Sequence, residues 1–154
     1  MTQLGHSLEI KSREIRVFLS STFRYIEEEL NYMMNYVFPD VRRYCNERQV
    51  AFTEIDLRWG VTEEESKSGR TVEICLEEID RCREYPPFFI GFLGERYGWS
   101  PQPADMQGWQ ENNTDLPYMD EIRAALQQGI SVTELEMQYA FLKYKNAAEY
   151  SRVF

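Results

Sequence analysis

Apolar residues recur along this chain with two different periods, and the changes of period mark its elements. Ile15-Arg16-Val17-Phe18-Leu19 is a compact apolar run ending in Ser20-Ser21-Thr22, which predicts a buried strand closing into a helix N-cap. From Phe23, Ile26, Leu30, Met33, Met34, Val37, Val41, Tyr44 and Cys45 fall on one helical stripe. Pro39 lacks a donor and crowds the preceding turn, so it splits or kinks that helix. Val50 to Leu57 alternates as a second, less buried strand. The polar stretch from Arg58 to Arg70 predicts a long loop. Val72, Cys75, Leu76, Ile79 and Cys82 then return to helical spacing.

Pro86-Pro87 breaks the chain before Phe88-Phe89-Ile90-Gly91-Phe92-Leu93. A run without alternation belongs to a central strand covered on both faces. Strand, helix, strand, helix, strand implies an α/β fold with a parallel sheet and right-handed crossovers. Ser100 to Tyr118, rich in Pro, Asn, Gln, Asp and Gly, predicts a surface insertion. Ile122, Ala125 and Leu126 predict a short helix stopped by Gly129, and Ser131 to Lys145 a last, largely buried helix. A fourth strand would begin at Arg152-Val153-Phe154. Three parallel strands are few for this fold type, so the chain is expected to be the N-terminal part of a longer protein, with residues 1–12 as a polar leader and 13–154 as one domain.

Composition narrows the chemistry. Across 154 residues, 17 Lys and Arg face 26 Asp and Glu, and the net charge of −9 repels nucleic-acid phosphates. Cys45, Cys75 and Cys82 are odd in number and form no CxxC pair, which suits a reducing compartment. Cys75 and Cys82 lie seven apart, on one apolar helix face rather than at a metal. The single histidine, His6, sits in the leader, which excludes a His-based triad or a His-rich zinc site. With no apolar leader core and no 18-residue apolar run, the expected protein is soluble and cytoplasmic, without metal or membrane.

In open α/β sheets, ligands sit beyond the carboxyl ends of the strands where the strand order reverses. For a 2-1-3 order that crevice lies between strands 1 and 3. The first strand delivers Ser20, Ser21, Thr22 and Phe23 there. The third delivers Gly94, Glu95, Arg96, Tyr97, Gly98 and Trp99, and the second adds Asp56, Arg58 and Trp59 nearby. Hydroxyls, guanidiniums, aromatic faces and glycines together suit a sugar, base or phosphate. The same residues also read as helix caps, surface ion pairs, core aromatics and turn glycines. Neither GxxxxGK[ST] nor a strand-to-helix GxGxxG is present. At the start of the last helix, Ser131-x-x-Glu134 and Thr133-x-x-Glu136 both have the spacing of a capping box, and spacing alone favours a cap for either carboxylate. The other reading has one glutamate facing the crevice beside the small Ala140, where a carboxylate can stabilise an oxocarbenium ion on a ribose.

Four segments carry a resemblance. They are Ile15 to Arg24 (IRVFLSSTFR), Glu54 to Glu64 (EIDLRWGVTEE), Phe89 to Trp99 (FIGFLGERYGW) and Ser131 to Glu136 (SVTELE). In this order, over about residues 13 to 145, the chain resembles the TIR-like domain of unknown function that precedes NACHT/STAND NTPase modules in nephrocystin and telomerase-associated proteins and bacterial relatives. The resemblance implies a flavodoxin-like fold and cleavage of the nicotinamide–ribose bond of NAD as substrate, with no cofactor. It implies Glu136 as the catalytic carboxylate, with Glu134 as the alternative. Ser20 to Arg24 would border the nicotinamide ribose, Phe23, Trp59 or Trp99 would stack on a base, and Arg58 and Arg96 would meet the diphosphate. The loop starting near Arg58-Trp59-Gly60 would drive self-association. The resemblance also implies NTPase and repeat domains downstream in the same chain. Val132-Thr133 replaces the Trp-Cys pair typical before the TIR glutamate, and the loop ahead of this helix is long. The rival expectation is a non-catalytic interaction module.

Overall fold

A computed structural model describes residues 13–22, 26–57, 69–86, 88–104, 117–143 and 147–154. Four strands form one parallel sheet: β1 (Glu14–Ser21), β2 (Ala51–Ile55), β3 (Phe89–Phe92) and β4 (Ser151–Val153). Their spatial order is β2-β1-β3-β4, a flavodoxin-like arrangement with β1 and β3 inside. Registers run Glu14 to Ala51, Phe18 to Phe89 and Phe89 to Ser151. The predicted parallel α/β sheet is therefore present, with the fourth strand at the edge beside β3.

Alternation along β1 and β3 assigns the two faces. Phe18 and Phe89 point to one, where their rings stack with centroids 5.9 Å apart. That face is covered by α3 (Gly69–Arg83), α4 (Met119–Gln128) and α5 (Val132–Leu142), which supply the fully buried Leu76, Ile79, Ile122 and Ala140. Cys75 and Cys82 are buried in the same layer, as their spacing on one apolar face predicted. Val17, Leu19, Ile90 and Phe92 point to the other face, covered by α1 (Glu27–Tyr32), a π-helical turn (Met33–Val37) and α2 (Phe38–Asn46).

Several local expectations are corrected. Ser20 and Ser21 belong to β1, and α1 begins only at Glu27, after Ile26, which makes no side-chain cap. The Ser20-Ser21-Thr22 cluster is therefore not a helix N-cap. Pro39 is tolerated in the first turn of α2, and the disturbance appears ahead of it as the π turn, because residue 39 has no N–H for the carbonyl four residues earlier. The π turn shifts the register, so Phe38 joins Ile26, Leu30 and Cys45 in the core while Tyr44 is 58% exposed. Tyr118 is not part of a surface insertion. It is buried edge-to-face against Tyr139, and both hydroxyls donate to Asp80, at 3.1 and 2.9 Å. The last helix ends at Leu142, which is exposed, with Lys143 as its C-cap; residues 144–146, where the sequence continued it, lie outside the described residues.

Gly129 stops α4 as its position predicted. It is left-handed (φ 67°), its N–H donates to the Leu126 carbonyl at 3.3 Å, and the Ile130 N–H donates to that of Ala125 at 3.2 Å. Among the described residues, apart from its own chain neighbours, nothing lies within 4 Å of the place a Cβ would occupy, so substitution there strains only the backbone. Gly129→Ala is expected to destabilise by about 1 kcal/mol, read as a fall of about 2–4 °C in Tm.

Candidate functional site

Beyond the carboxyl ends of β1 and β3 the chain builds a small, mostly buried polar cluster. Ser131 caps α5, accepting from the Glu134 N–H at 3.1 Å, and the Val132 N–H donates to the Trp99 carbonyl at 2.9 Å. These contacts fix the start of the helix. Gly91 then lets α5 approach β3 closely, since a Cβ there would lie 2.8 Å from Met137 Cε. The result is that Thr133, Glu136 and Ala140 face inward, with Ala140 packed fully into the core.

Glu136 is 7% exposed and accepts a 2.5 Å hydrogen bond from Ser20 Oγ, itself fully buried in β1. The Cys75 thiol, reaching in from α3, donates to the same carboxylate. Burial pushes the Glu136 carboxyl up to about 7, while the Ser20 and Cys75 donors pull it back toward the ordinary value. Burial, and then the Glu136 charge, push the Cys75 thiol well above its usual range, so it stays protonated as a donor. Near neutral pH this group can hold either a proton or a charge, which general acid–base or ion-stabilising chemistry requires.

Glu134 has a different position. Its carboxylate accepts from the exposed Tyr97 hydroxyl and from Gln138 Nε2 at 2.8 Å, on the outer side of the helix. The cap favoured by spacing is thus made through the Glu134 backbone and Ser131. Thr133 lies inside the helix, and Glu136 caps nothing. Between the two levels sits Thr22, 5% exposed, whose Oγ1 has no partner among the described residues. Gly94 and Gly98 flank it. At Gly98 (φ 95°) a Cβ would meet Thr133 Oγ1 at 3.2 Å and Thr22 Cγ2 at 3.3 Å.

Of the residues singled out in the sequence, Ser20, Thr22, Tyr97, Trp99, Glu134 and Glu136 converge at this end of β1 and β3. Ser21 alternates to the opposite face of the strand, paired in register with Phe92. Arg96 is on the exposed loop after β3. Phe23, Arg58 and Trp59 lie outside the described residues. Cys75 was not singled out as a site residue, because its only visible signal was apolar helical spacing. Among the described residues no group of three His, Cys, Asp or Glu side chains is arranged to hold a metal, and no helix is long and apolar enough to cross a membrane.

Residues 16–151 match a family described as "Domain of unknown function (DUF4062)", a span that runs from β1 into β4. The chain belongs to the DUF4062 family. This DUF4062 domain is 36% identical over 125 residues to telomerase protein component 1 of Rattus norvegicus, covering 81% of the chain and 4% of the relative. It is 33% identical over 138 residues to a TPR repeat-containing protein of Dictyostelium discoideum, covering 84% of the chain and 8% of that relative. With NACHT and WD repeat domain-containing protein 2 of Homo sapiens it shares 31% identity over 110 residues, 70% of the chain and 6% of the relative. The DUF4062 domain thus spans a small fraction of the relatives it matches. No solved structure matches it.

Proposed function

We propose that this domain is a TIR-like effector and signalling domain at the N-terminal side of a NACHT-type protein, hydrolysing the nicotinamide–ribose bond of NAD when assembled. The placement of Glu136 carries the reading. A carboxylate held by Ser20 at the topological switch point of a flavodoxin-like sheet lies where such sheets receive ligands. Names among the relatives, which combine NACHT with WD repeats, support downstream NTPase and repeat domains in the same protein.

In this reading the ionised Glu136 faces the ribose C1′ and stabilises positive charge as nicotinamide leaves. Thr22 supplies a hydroxyl to the sugar, Trp99 and Tyr97 line the entrance, and Arg96 meets the diphosphate. Self-association closes the site around the sugar, and a water then adds to C1′ and gives up a proton, which completes the hydrolysis. Because the charged form does the work, turnover is expected to rise with pH through about 7, where half of Glu136 is ionised, and to level off about one unit higher. A second reading, a non-catalytic interaction module, is favoured by one observation: Glu136 is almost wholly buried, with two donors already in place.

Nicotinamide release from forced oligomers of the wild type, Glu136→Ala and Glu134→Ala separates the two. The enzymatic reading expects loss of at least about 100-fold in Glu136→Ala, with Glu134→Ala retaining activity. Equal rates in all three proteins would hand the domain to the second reading.

A further inference from the structure

The helical segment covering the second face of the sheet carries an outward feature that core packing does not explain. Tyr32, Tyr36 and Tyr44 are 61%, 63% and 58% exposed, and the Tyr32 and Tyr36 rings touch with centroids 5.0 Å apart. Large exposed aromatics gathered in one place mark an interaction surface more often than a solvated helix. They belong to a row spaced by four: Glu28, Tyr32, Tyr36, Asp40, Tyr44, Arg48. In a regular α-helix such a row drifts around the axis, because four residues exceed one turn. The π turn at Met33–Val37, with its wider i to i+5 ring, takes up part of that drift.

The row is self-complementary when reversed. If two copies of the segment cross antiparallel about a twofold axis near Phe38, Glu28 of one faces Arg48 of the other, Tyr32 faces Tyr44, and Tyr36 faces Asp40. Charges then meet opposite charges at both ends, and a phenol meets a carboxylate beside the axis. A receiving shape is also present. Asp40, Arg43, Tyr44 and Glu47 stand at the i, i+3, i+4 and i+7 positions that form the hole for a knob from a facing helix. Together with Val41 they line a depression of about 420 Å³. In the antiparallel register Tyr32 of the second copy stands over its centre. The rim is already ordered: Arg43 pairs with Asp40 at 3.0 Å, and Arg48 lies 3.4 Å over the Tyr44 ring while donating to the Tyr44 carbonyl at 2.9 Å. The acidic first turn and the Arg43 in the last turn also suit the helix dipole, but that accounts for no tyrosine.

We propose that the α1–π–α2 face is an isologous interface at which a second copy of this chain docks antiparallel, with the tyrosine row as its centre. This names a surface for the self-association in the reading above and rests on that part of it. None of its residues belongs to the Glu136 cluster, which lies on the opposite side of the sheet, so either idea can fail without the other. The interface is one helix pair wide and belongs to the weak, concentration-dependent class.

Charge reversal with rescue tests it. Sedimentation equilibrium of the 154-residue chain, up to millimolar concentration, is measured for wild type, Glu28→Arg, Arg48→Glu and the double variant. By symmetry each single change turns two facing pairs from attractive to repulsive, and the dimer constant is expected to weaken about tenfold. The double variant restores both pairs and is expected to return to within about twofold of wild type. Both positions are exposed, and unchanged thermal melts exclude misfolding. A wild-type chain that stays monomeric throughout, single variants that dimerise as wild type does, or a double variant as weak as the singles would each overturn the proposal.

Discussion

Glu136→Gln is expected to raise the melting temperature at pH 8 and to leave it nearly unchanged at pH 5. The sign follows from linkage. In the unfolded chain Glu136 releases its proton near its ordinary 4.5, whereas in the fold it holds the proton to about 7. Below 4.5 both states are protonated and the side chain costs nothing electrostatically. Between the two values the unfolded chain binds fewer protons, so stability falls as pH rises. Above 7 the whole penalty is present, on the order of 3 kcal/mol. Glutamine keeps an acceptor for Ser20 and never ionises, so it escapes that penalty. Allowing for an imperfect fit of the amide beside Cys75, the difference in Tm at pH 8 is expected to be about 5 °C, shrinking to within about 2 °C at pH 5. Paired melts across this pH range give the answer. A difference that does not change with pH would mean that the carboxylate ionises freely, in contact with water.

Phe18→Ala is expected to have the largest effect on stability of any single truncation considered. Phe18 is 1% exposed in the middle of β1, between β2 and β3, with its ring stacked on Phe89. Val72, Leu76 and Ile79 of α3 belong to the same buried cluster. Removing the ring leaves a cavity among strands and helices that cannot collapse without breaking the sheet, so the cost falls in the range of about 3–5 kcal/mol. For a domain of ordinary stability, about 5–15 kcal/mol in total, that is a large share. The measurement is a urea titration at pH 5, where folded Glu136 is protonated and most of its penalty is absent. The midpoint should drop by more than 1 M with little change in slope. A shift of only a few tenths would contradict the central place of β1 in the core.

The strands were legible because burial on both faces leaves an unmistakable mark. Val17 to Leu19 and Phe88 to Leu93 are apolar without alternation, and β2 at the edge alternates. Helix starts were less legible, since Ser20-Ser21-Thr22 has the composition of a cap. Hydroxyl side chains suit a cap and a buried polar cluster equally well, and only the strand's continuation to Ser21 decides between them. Tyr44 was misplaced because a π turn shifts helical phase, and no residue type announces one beyond the proline that follows. At the site, Glu134 and Glu136 differ by two positions and have the same capping-box spacing. What separates them is the face of α5 that meets β1, which depends on Gly91 and Met137. Cys75 could not be paired with Glu136 from sequence, because the contact joins two helices whose relative rotation is a property of the packed core.

The sheet's pairing has a consequence for how the domain is made. No strand is joined to a neighbour by a hairpin: Glu14 waits for Ala51, Phe18 for Phe89, and Phe89 for Ser151. Such distant pairings carry a high loop-closure cost and form slowly. On a translating ribosome, β1 must stay open until β3 has left the exit tunnel, and β3 until β4 follows. Until then, cotranslational folding is expected to go no further than the β1–β2 pair and the helices between them. The four-stranded sheet should form in a late cooperative step, during which the bare strand edges depend on chaperones for protection.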